Sequence, residues 1–310
     1  MIRWTASASD AGVRLDKFLS APDRLGSRRR VSVSLERGQI FLNDSEASLA
    51  QAGTRLAAGD VVGLWRDRPG SASRRRPRAS GELAIVFEDA SLIVVNKPAG
   101  LLTVPLPARA DAPSAYELVE AHLRARGHRV RPAVVHRIDR DTSGLVIFAR
   151  NTKTQALMKD QFRRREAERV YQAVVYGAPA PASGTWRDRL VWDENALIQK
   201  ETHPHDPAGT DAVSHYRTLE RFRDATLIEV RLDTGKRNQI RLQARLRGHT
   251  LVGERRYVFG PPPPRRIEFS RQALHAWRLV CRHPVDSRQL TFEAPIPQDF
   301  AELLEQLRDG

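Results

Sequence analysis

The feature that most constrains the fold of this chain is a stretch with no apolar periodicity. Residues 66–80 contain six Arg, two Pro and one Gly. Such a segment has no face to bury against a core, and its Pro and Gly residues interrupt helices and strands. We therefore expect a mobile Arg-rich linker that separates an N-terminal domain, residues 1–65, from a larger domain, residues 81–310.

Composition narrows the class of protein. The formal charge is +14, and residues 1–80 carry half of it, with 15 basic and 8 acidic side chains. This balance makes nucleic acid the first partner to consider. The apolar fraction of 41% suffices for a core, and the single cysteine, Cys281, excludes a disulfide framework. Because no apolar run reaches the length of about 18 residues needed to span a bilayer, and no signal stretch follows Met1, we expect a soluble protein of the cytoplasm.

The N-terminal domain has a readable helix and strand pattern. Leu15, Phe18 and Leu19 form the apolar stripe of one helix, and Ser27 can cap a second helix that ends near Gly38. The first turn of the second helix would hold three arginines, whose charge opposes the helix dipole, so helix stability does not explain them. Short strands and turns are expected to follow at these positions: Ile40, Leu42, Asn43-Asp44, Gly59-Asp60, Val61, Val62 and Leu64.

This order of elements resembles the alpha-L RNA-binding module, which is also called S-four-like. The resemblance implies RNA binding by the exposed arginines of the second helix, Arg28, Arg29 and Arg30. The alternative is a basic helix surface that is merely solvated. The residues that carry the resemblance are Arg14-Leu15-Asp16-Lys17-Phe18-Leu19, Ser27-Arg28 and Gly38-Gln39-Ile40-Phe41-Leu42-Asn43.

The larger domain alternates apolar runs with turns and helices. Regular strand–helix–strand repeats are absent, so the pattern predicts an α+β fold with mixed or antiparallel sheets. Residues 261–264 are four prolines and predict a stiff surface loop. Strands are expected at residues 92–95, 145–149, 170–176 and 227–232, and helices at 154–165 and 239–247.

The densest polar cluster spans residues 136–144, immediately before the apolar run 145–149. Loops beside strands are where scaffolds usually present reactive groups. Asp139 lies between Arg137 and Arg140, whose positive charges would favour an ionised carboxylate. Taken alone, an aspartate among arginines is more often part of a surface turn held by local ion pairs.

The cluster reads His-Arg-Ile-Asp-Arg-Asp-Thr-Ser-Gly and is similar to the signature loop of the RluA-type pseudouridine synthases, which act on large-subunit rRNA. Four further segments resemble motifs of the same family, in the same order, and the resemblance extends over nearly the whole chain. These segments are Glu88-Asp89 with Leu92 through Gly100, Arg169-Val170-Tyr171-Gln172-Ala173, Thr234 through Arg241, and Arg271 through Ala276 with His283-Pro284.

The resemblance implies an isomerase that detaches uracil from its ribose and rejoins it through C5. It implies that Asp139 is the catalytic aspartate, through a covalent adduct or through removal of a sugar proton. Tyr171 would stack on the flipped base and assist proton transfer, and Arg241 would pair with the aspartate. The alternatives from the residues alone are a core tyrosine and a phosphate-binding surface arginine.

Further substrate-binding residues follow from the resemblance, namely His136, Arg137, Thr142 and Gln239. His136 and Arg137 are expected to orient the loop or to help open the RNA duplex at the target. No cofactor is expected, because the reaction is a rearrangement without net redox change. No metal site is expected either, since no metal-ligand spacing is present. Ordinary glycoside hydrolysis uses two carboxylates, whereas the matched segments supply one, so a nucleotide glycosidase is disfavoured.

The third motif departs from the common family pattern Thr-Gly-Arg-Thr-His-Gln-Ile-Arg-x-His. Here Lys236, Arg237 and Asn238 replace Arg-Thr-His, and Gln243 replaces the final His. In the second motif Arg169 stands where Lys is usual. The central arginine is retained, so we expect the chemistry to be retained, and the departures put substrate positioning in doubt.

The sequence therefore predicts an RNA pseudouridine synthase that acts on 23S ribosomal RNA, with no membrane partner and as a monomer. Two alternatives stay open. One is a tRNA pseudouridine synthase, and the other is a non-catalytic RNA-binding factor for ribosome assembly on the same scaffold.

Overall fold

A computed structural model describes residues 1–36, 38–65, 83–106, 112–128, 130–194, 196, 198–259 and 265–309. The predicted linker 66–80 and the proline loop 261–264 lie outside these residues. The chain divides into two compact units. The first contains Met1–Ser80 and Pro105–Glu117, and the second contains Gly81–Val104 and Leu118–Gly310. Grouping of residues 105–117 with the first unit was not predicted from the sequence.

The first unit is a small antiparallel sheet with two helices. The strands pair in the order β1-β4-β2-β3. The predicted stripe Leu15, Phe18 and Leu19 is buried in one core with side chains of the second helix and of the sheet. Strand β1 was not predicted from the sequence. The elements are β1 Ile2–Thr5, α1 Leu15–Leu19, α2 Arg28–Glu36, β2 Ile40–Leu42, β3 Ser45–Glu46 and β4 Val61–Leu64.

The predicted boundaries in this unit are confirmed by local geometry. The Ser27 hydroxyl accepts the backbone N–H of Arg30 at 3.3 Å, which caps α2. Asn43 and Asp44 have φ values of 49° and 65° and form the two-residue turn between β2 and β3. The first turn of α2 holds no acidic residue, and Arg28, Arg29 and Arg30 are exposed.

The second unit is an α+β domain built on an 11-stranded mixed sheet, as predicted. Nine strands pair in the order β11-β10-β12-β13-β9-β14-β8-β6-β5, while β15 pairs with β14 and β7 with β8. The elements from residue 84 onward are β5 Ala84–Glu88, β6 Leu92–Lys97, α3 Ala115–Ala125, β7 Ala133–Val134, β8 Ser143–Ala149, α4 Thr152–Arg163, β9 Glu168–Tyr176, β10 Ser183–Asp193, β11 Ile198–Glu201, β12 Thr210–Arg221, β13 Ala225–Leu232, α5 Gln239–Leu246, β14 Leu274–Arg282, β15 Gln289–Glu293 and α6 Gln298–Asp309.

The predicted strands and helices of this unit are confirmed to within a few residues. All seven residues of β8 are buried, in keeping with the continuous apolar run. Helix α4 begins two residues before the predicted start, because Asn151 caps it by accepting the N–H of Thr154 at 2.8 Å. The long antiparallel arm formed by β10, β11 and β12 was not predicted, because its charged and polar residues interrupt the apolar alternation.

Two glycines allow backbones to meet beside the loop 136–144. Strand β8 pairs with β14 in parallel, and a Cβ at Gly144 would lie 2.2 Å from the carbonyl oxygen of Ala276. Gly253 has φ +74°, and a Cβ there would lie 1.8 Å from the carbonyl oxygen of Arg271. A larger residue at Gly144 would push β8 and β14 apart, and one at Gly253 would push that turn away from the backbone of Arg271. The close approach at Gly144 brings together segments that are 132 residues apart in the sequence.

Candidate active site

The loop that carries Asp139 is held on both sides by buried hydrogen bonds. The Thr103 hydroxyl donates to the carbonyl of Ile138 at 2.7 Å. The ammonium group of Lys97 donates to the carbonyl of Arg140 at 2.9 Å. The residues before and after Asp139 are therefore fixed, and the loop presents its carboxylate in a defined position.

Lys97 is fully buried and its role was not predicted from the sequence. Its Nζ also donates to the carbonyls of Pro98 and Leu101, at 2.8 and 2.7 Å. Burial lowers the pKa of Lys97 to about 7, against the opposing charges of Asp141 and Asp139. Three carbonyl acceptors match the three N–H donors of an ammonium group, so the geometry favours the charged form. The sequence signals for this role were a lysine at the end of a buried strand and its place in the motif-like segment Leu92 through Gly100.

Asp139 and Arg241 form the pair that the resemblance implied. Arg241 Nη1 donates to Asp139 Oδ2 at 2.9 Å, and the side chain of Asp139 is 26% exposed. The other edge of the guanidinium binds Glu254 through Nε and Nη2, at 2.7 and 2.6 Å. Burial opposes the charge on Arg241, but the two carboxylates outweigh it and raise its pKa. Arg241 is thus held in one orientation between two carboxylates.

Glu254 is a second carboxylate that the sequence motifs did not reveal. Its side chain is 0% exposed. Burial would raise the pKa of Glu254, but Arg241 and the backbone N–H groups of Arg256 and Tyr257 lower it below the usual value. Because Arg241 occupies both of its oxygens, Glu254 orients the arginine and has no free oxygen for a substrate. It is not the second carboxylate of a glycosidase.

Asp139, Tyr171 and Arg241 border one small pocket of about 60 Å³. Burial raises the pKa of Tyr171, the nearby Arg169 acts in the opposite direction, and the Asp139 charge raises it further. The apolar part of the lining is Ile138, Leu232, Ile240 and Leu274.

Two residues predicted to bind substrate use their polar atoms within the protein. Gln239 accepts from the Thr234 hydroxyl and the Lys236 N–H, both at 2.9 Å, and donates to Val213 and Ser214. All four hydrogen-bonding positions of its amide are therefore engaged, which corrects the prediction of a direct substrate contact. Thr142 borders the pocket but is 1% exposed and accepts from Gln272, so the structure gives it a role in holding the loop.

The imidazole ring of His136 is held in place by contacts inside the protein. Its ring stacks on Phe162 at 5.0 Å, and Nε2 accepts the backbone N–H of Ile147 in β8 at 3.2 Å. Burial and the nearby Arg169 lower the pKa of His136 to about 3, so the ring is neutral. The ring anchors the loop to the strand, which agrees with the expected role of orienting the loop.

A basic rim surrounds the pocket mouth. Arg137 is exposed, and it and Lys236 border the pocket. Arg237 stacks on the ring of Trp192 at 4.1 Å. Burial together with the charges of Arg137 and Arg256 lowers the pKa of Arg237. Guanidinium groups held this close repel one another, and an anion such as a phosphate would relieve that repulsion.

A larger cavity of about 810 Å³ lies elsewhere in the second unit, bordered by Phe259 and Phe269 among others. Asp139, Tyr171 and Arg241 do not border it. Of these two pockets, the smaller one combines an oriented carboxylate, a buried tyrosine and a basic rim, and we therefore take it as the candidate active site. The predicted RNA-binding arginines Arg28, Arg29 and Arg30 belong to the first unit.

Within the described residues, no cluster of three or more His, Cys, Asp or Glu side chains could hold a metal ion. The described helices include none that is long and apolar enough to cross a membrane.

Comparisons with known proteins give a consistent result. Residues 91–246 match the family described as RNA pseudouridylate synthase. An uncharacterized RNA pseudouridine synthase of Bacillus subtilis, YlyB, is 35% identical over 307 residues, covering 98% of this chain and 97% of that protein. Ribosomal large subunit pseudouridine synthase D of Escherichia coli O6:H1 is 32% identical, covering 98% and 93%. The structure of human RNA pseudouridylate synthase domain containing 4 has a TM-score of 0.59 at 20% identity, covering 73% of this chain and 93% of that one, and shares the fold.

Proposed function

Because this chain belongs to the RNA pseudouridylate synthase family and is an isomerase of RNA uridines, we propose that it modifies 23S ribosomal RNA with Asp139 as the catalytic residue. The observation that carries the proposal is the carboxylate of Asp139, which is fixed by Arg241 at a pocket that also contains Tyr171. The target is supported by the printed name of the Escherichia coli relative, ribosomal large subunit pseudouridine synthase D.

The reaction needs one well-oriented carboxylate. The bond between uracil N1 and ribose C1′ breaks, a bond from C5 to C1′ forms, and the hydrogen on C5 moves to solvent while N1 regains a proton. Arg241 binds one oxygen of Asp139 and limits the rotation of the carboxylate. The carboxylate serves either of two routes, a covalent adduct with the nucleotide or removal of a sugar proton that gives a glycal.

Tyr171 acts as a neutral hydroxyl in this proposal. Its pKa is raised by burial, so the phenol stays protonated in the resting enzyme. It can donate a hydrogen bond or relay a proton near C5, and its ring offers a flat surface for the base. It does not start the reaction as a phenolate base.

The pocket lining retains the detached base. The side chains of Ile138, Leu232, Ile240 and Leu274 leave little room for water once the base has entered. Asp141, the nearest other carboxylate in the sequence, is paired with Arg140 at 3.0 Å and does not border the pocket. This arrangement favours rejoining of the base over its hydrolytic release.

RNA affinity comes from basic groups outside the pocket. The target base must leave the helical stack, and the backbone must be gripped while this happens. Arg137 and Arg237 at the pocket rim are suited to phosphates near the target, and Arg28, Arg29 and Arg30 of the first unit supply contacts that tolerate many sequences. We propose the alpha-L type of RNA binding for this first unit, and a monomeric enzyme that works in the cytoplasm.

Tritium release tests the proposal. Transcripts of 23S ribosomal RNA and of transfer RNAs are labelled with tritium at uridine C5 and incubated with the purified full-length protein. We expect release from the ribosomal transcript and background release from the transfer RNAs. Release from transfer RNA alone would support the alternative substrate. Tight binding of ribosomal RNA without release would support the non-catalytic assembly factor.

A further inference from the structure

Asn238 lies at the start of α5 in the segment that departs from the common family motif. Its backbone has φ 54° and ψ 23°, in the left-handed region, and its side chain makes no hydrogen bond that caps the helix. Instead the side chain points into the site, where Nδ2 donates to Asp139 Oδ2 at 2.5 Å. It is 9% exposed. The usual reason for an asparagine at this position, capping, is therefore absent.

The direction of the amide follows from its second partner. The backbone N–H of Gln199 can only donate, and it donates to the Tyr257 hydroxyl at 3.3 Å. That hydroxyl is then free to donate its own proton to Asn238 Oδ1, which is 3.3 Å away. The acceptor end of the amide faces Tyr257, so the donor end faces Asp139.

Both donors on Asp139 reach the same oxygen. Arg241 Nη1 and Asn238 Nδ2 converge on Oδ2, at 2.9 and 2.5 Å. Within the part of the chain that the structure describes, Oδ1 receives no hydrogen bond. One oxygen of the carboxylate is thus held in place, while the other is left for the nucleotide.

We propose that Asn238 is a positioning residue, which clamps Oδ2 of Asp139 together with Arg241 and so presents Oδ1 to the ribose or the base. The inference rests on the proposed function of Asp139. It assigns a role to the asparagine that stands where histidine is common in the family.

The same position allows a clean substitution test, because few side chains tolerate its backbone. Asn, Asp and His are the residues other than Gly that most often adopt a positive φ. Asn238→Asp keeps the shape and the backbone but replaces the N–H donor by a carboxylate next to Asp139. Asn238→His retains a ring N–H donor, and Asn238→Gly removes the side chain without straining the backbone.

A pH profile separates positioning from a structural role. Two adjacent carboxylates share a proton at low pH, and the protonated one can donate to its neighbour, whereas at high pH both are charged and repel. The titratable groups that the charge of Asp139 affects include Lys97, Tyr171, Arg237, Arg241 and Tyr257. The wild-type protein and the Asn238→Asp variant contain the same groups. The ratio of their rates at each pH therefore reports the carboxylate that the substitution adds.

The experiment measures tritium release at saturating and limiting labelled RNA over a range of pH, with Asn151→Asp as control. Asn151 caps α4, and aspartate caps equally well, so this control adds the same charge without touching the site. We expect Asn238→Asp and Asn238→Gly to lower kcat by about 100-fold at neutral pH with KM changed less than about threefold. The loss for Asn238→Asp should shrink as the pH falls, and Asn238→His should stay within about tenfold of wild type.

The results separate the inference from the proposed function. An active wild-type enzyme with an unchanged kcat in Asn238→Gly, or a loss confined to KM, would overturn the positioning role alone. A loss in Asn238→Asp that is independent of pH would also overturn it, since a structural defect has that signature. A wild-type protein that releases no tritium from any RNA would overturn the proposed function and the inference with it.

Discussion

Two sets of arginine side chains, one in each unit of the molecule, are arranged in opposite ways. Arg28, Arg29 and Arg30 of the first unit are exposed on a helix turn that contains no acidic residue. Arg241 of the second unit is 10% exposed and lies between Asp139 and Glu254. An exposed charge acts through its field on a distant anion, whereas a buried and fully paired charge fixes the geometry of its partners. The comparison separates arginines that serve RNA affinity from the arginine that serves chemistry.

The same distinction applies to the residues of the family motifs. Gln239 and Arg137 both border the pocket, but the amide of Gln239 is saturated by the protein while Arg137 is exposed. Membership of a motif therefore does not tell which residue touches the substrate. Burial and hydrogen-bond partners do tell this. Substitutions of buried, fully paired residues and of exposed basic residues should therefore differ in their effects on turnover, stability and RNA affinity.

The largest effect is expected from Asp139→Asn. Loss of the charged oxygen should lower turnover by at least about 10³-fold, which corresponds to about 4 kcal/mol of barrier. RNA affinity should change by less than about threefold, because the side chain serves chemistry and the phosphate contacts lie elsewhere. Single-turnover tritium release and filter binding measure the two quantities. A large loss of binding would place Asp139 among structural residues and would break the comparison.

Glu254→Gln should cost the most stability. It leaves the buried Arg241 with one carboxylate, and we expect a loss of about 3 kcal/mol in the free energy of unfolding at neutral pH. The pKa of Glu254 is lowered in the folded state, so its stabilisation is present above the unfolded value of 4.5 and is lost as the pH falls through the folded value. The variant should therefore lose less stability than wild type on acidification.

Urea titrations at neutral and acidic pH measure this difference. The control is Glu268→Gln, which removes the same charge from an exposed pair with Arg266. It should change the free energy of unfolding by less than about 0.5 kcal/mol. If the two substitutions changed the free energy of unfolding equally, the ion pair between Arg241 and Glu254 would contribute no more stability than a surface ion pair.

The Tyr171→Phe variant tests whether the hydroxyl of Tyr171 contributes to turnover. It keeps the ring for stacking and removes the hydroxyl, so we expect turnover to fall by about 100-fold with RNA affinity retained. Rapid-quench measurement of product at saturating RNA checks this. Turnover equal to wild type would leave stacking as the only function of Tyr171.

The smallest effect on chemistry is expected from changing Arg28, Arg29 and Arg30 to Gln together. RNA affinity should fall by about tenfold, and the slope of log affinity against log salt should decrease by about 2, because fewer counterions are displaced. Turnover at saturating RNA should stay the same. Salt titrations of binding provide the measurement.

The chain offers a matched control for this variant. Arg163, Arg164 and Arg165 form another exposed run of three arginines, and two of them pair with Asp160. Their change to Gln should leave the salt slope near the wild-type value. If both triple variants change the slope equally, the first unit has no special part in RNA binding.

Local patterns of the sequence predicted much of the fold. The stripe of Leu15, Phe18 and Leu19, the cap at Ser27 and the apolar run of β8 depend on neighbours in the chain, and these predictions are confirmed. The arm of β10 to β12 depends on pairing between strands, which side-chain alternation alone does not reveal. The parallel contact of β8 with β14 joins residues 132 positions apart, such as Ser143 and His275.

At the candidate site, too, the sequence did not reveal roles that depend on residues distant in the chain. The motifs predicted that Asp139, Tyr171 and Arg241 act together, and the structure places them around one pocket. Glu254 and Lys97 were missed because their roles depend on burial and on distant partners. The sequence did not reveal that the polar atoms of Thr142 and Gln239 bind partners inside the protein, because those partners are brought together only by packing.

Mapping of pseudouridine in cellular RNA tests the central claim most directly. Total RNA from cells without this gene, and from cells that regain the wild-type or the Asp139→Asn protein, is treated with carbodiimide and read by primer extension. We predict that one or a few uridines of large-subunit ribosomal RNA lose their signal without the gene and regain it with the wild-type protein alone. An unchanged map, or full restoration by Asp139→Asn, would contradict the account.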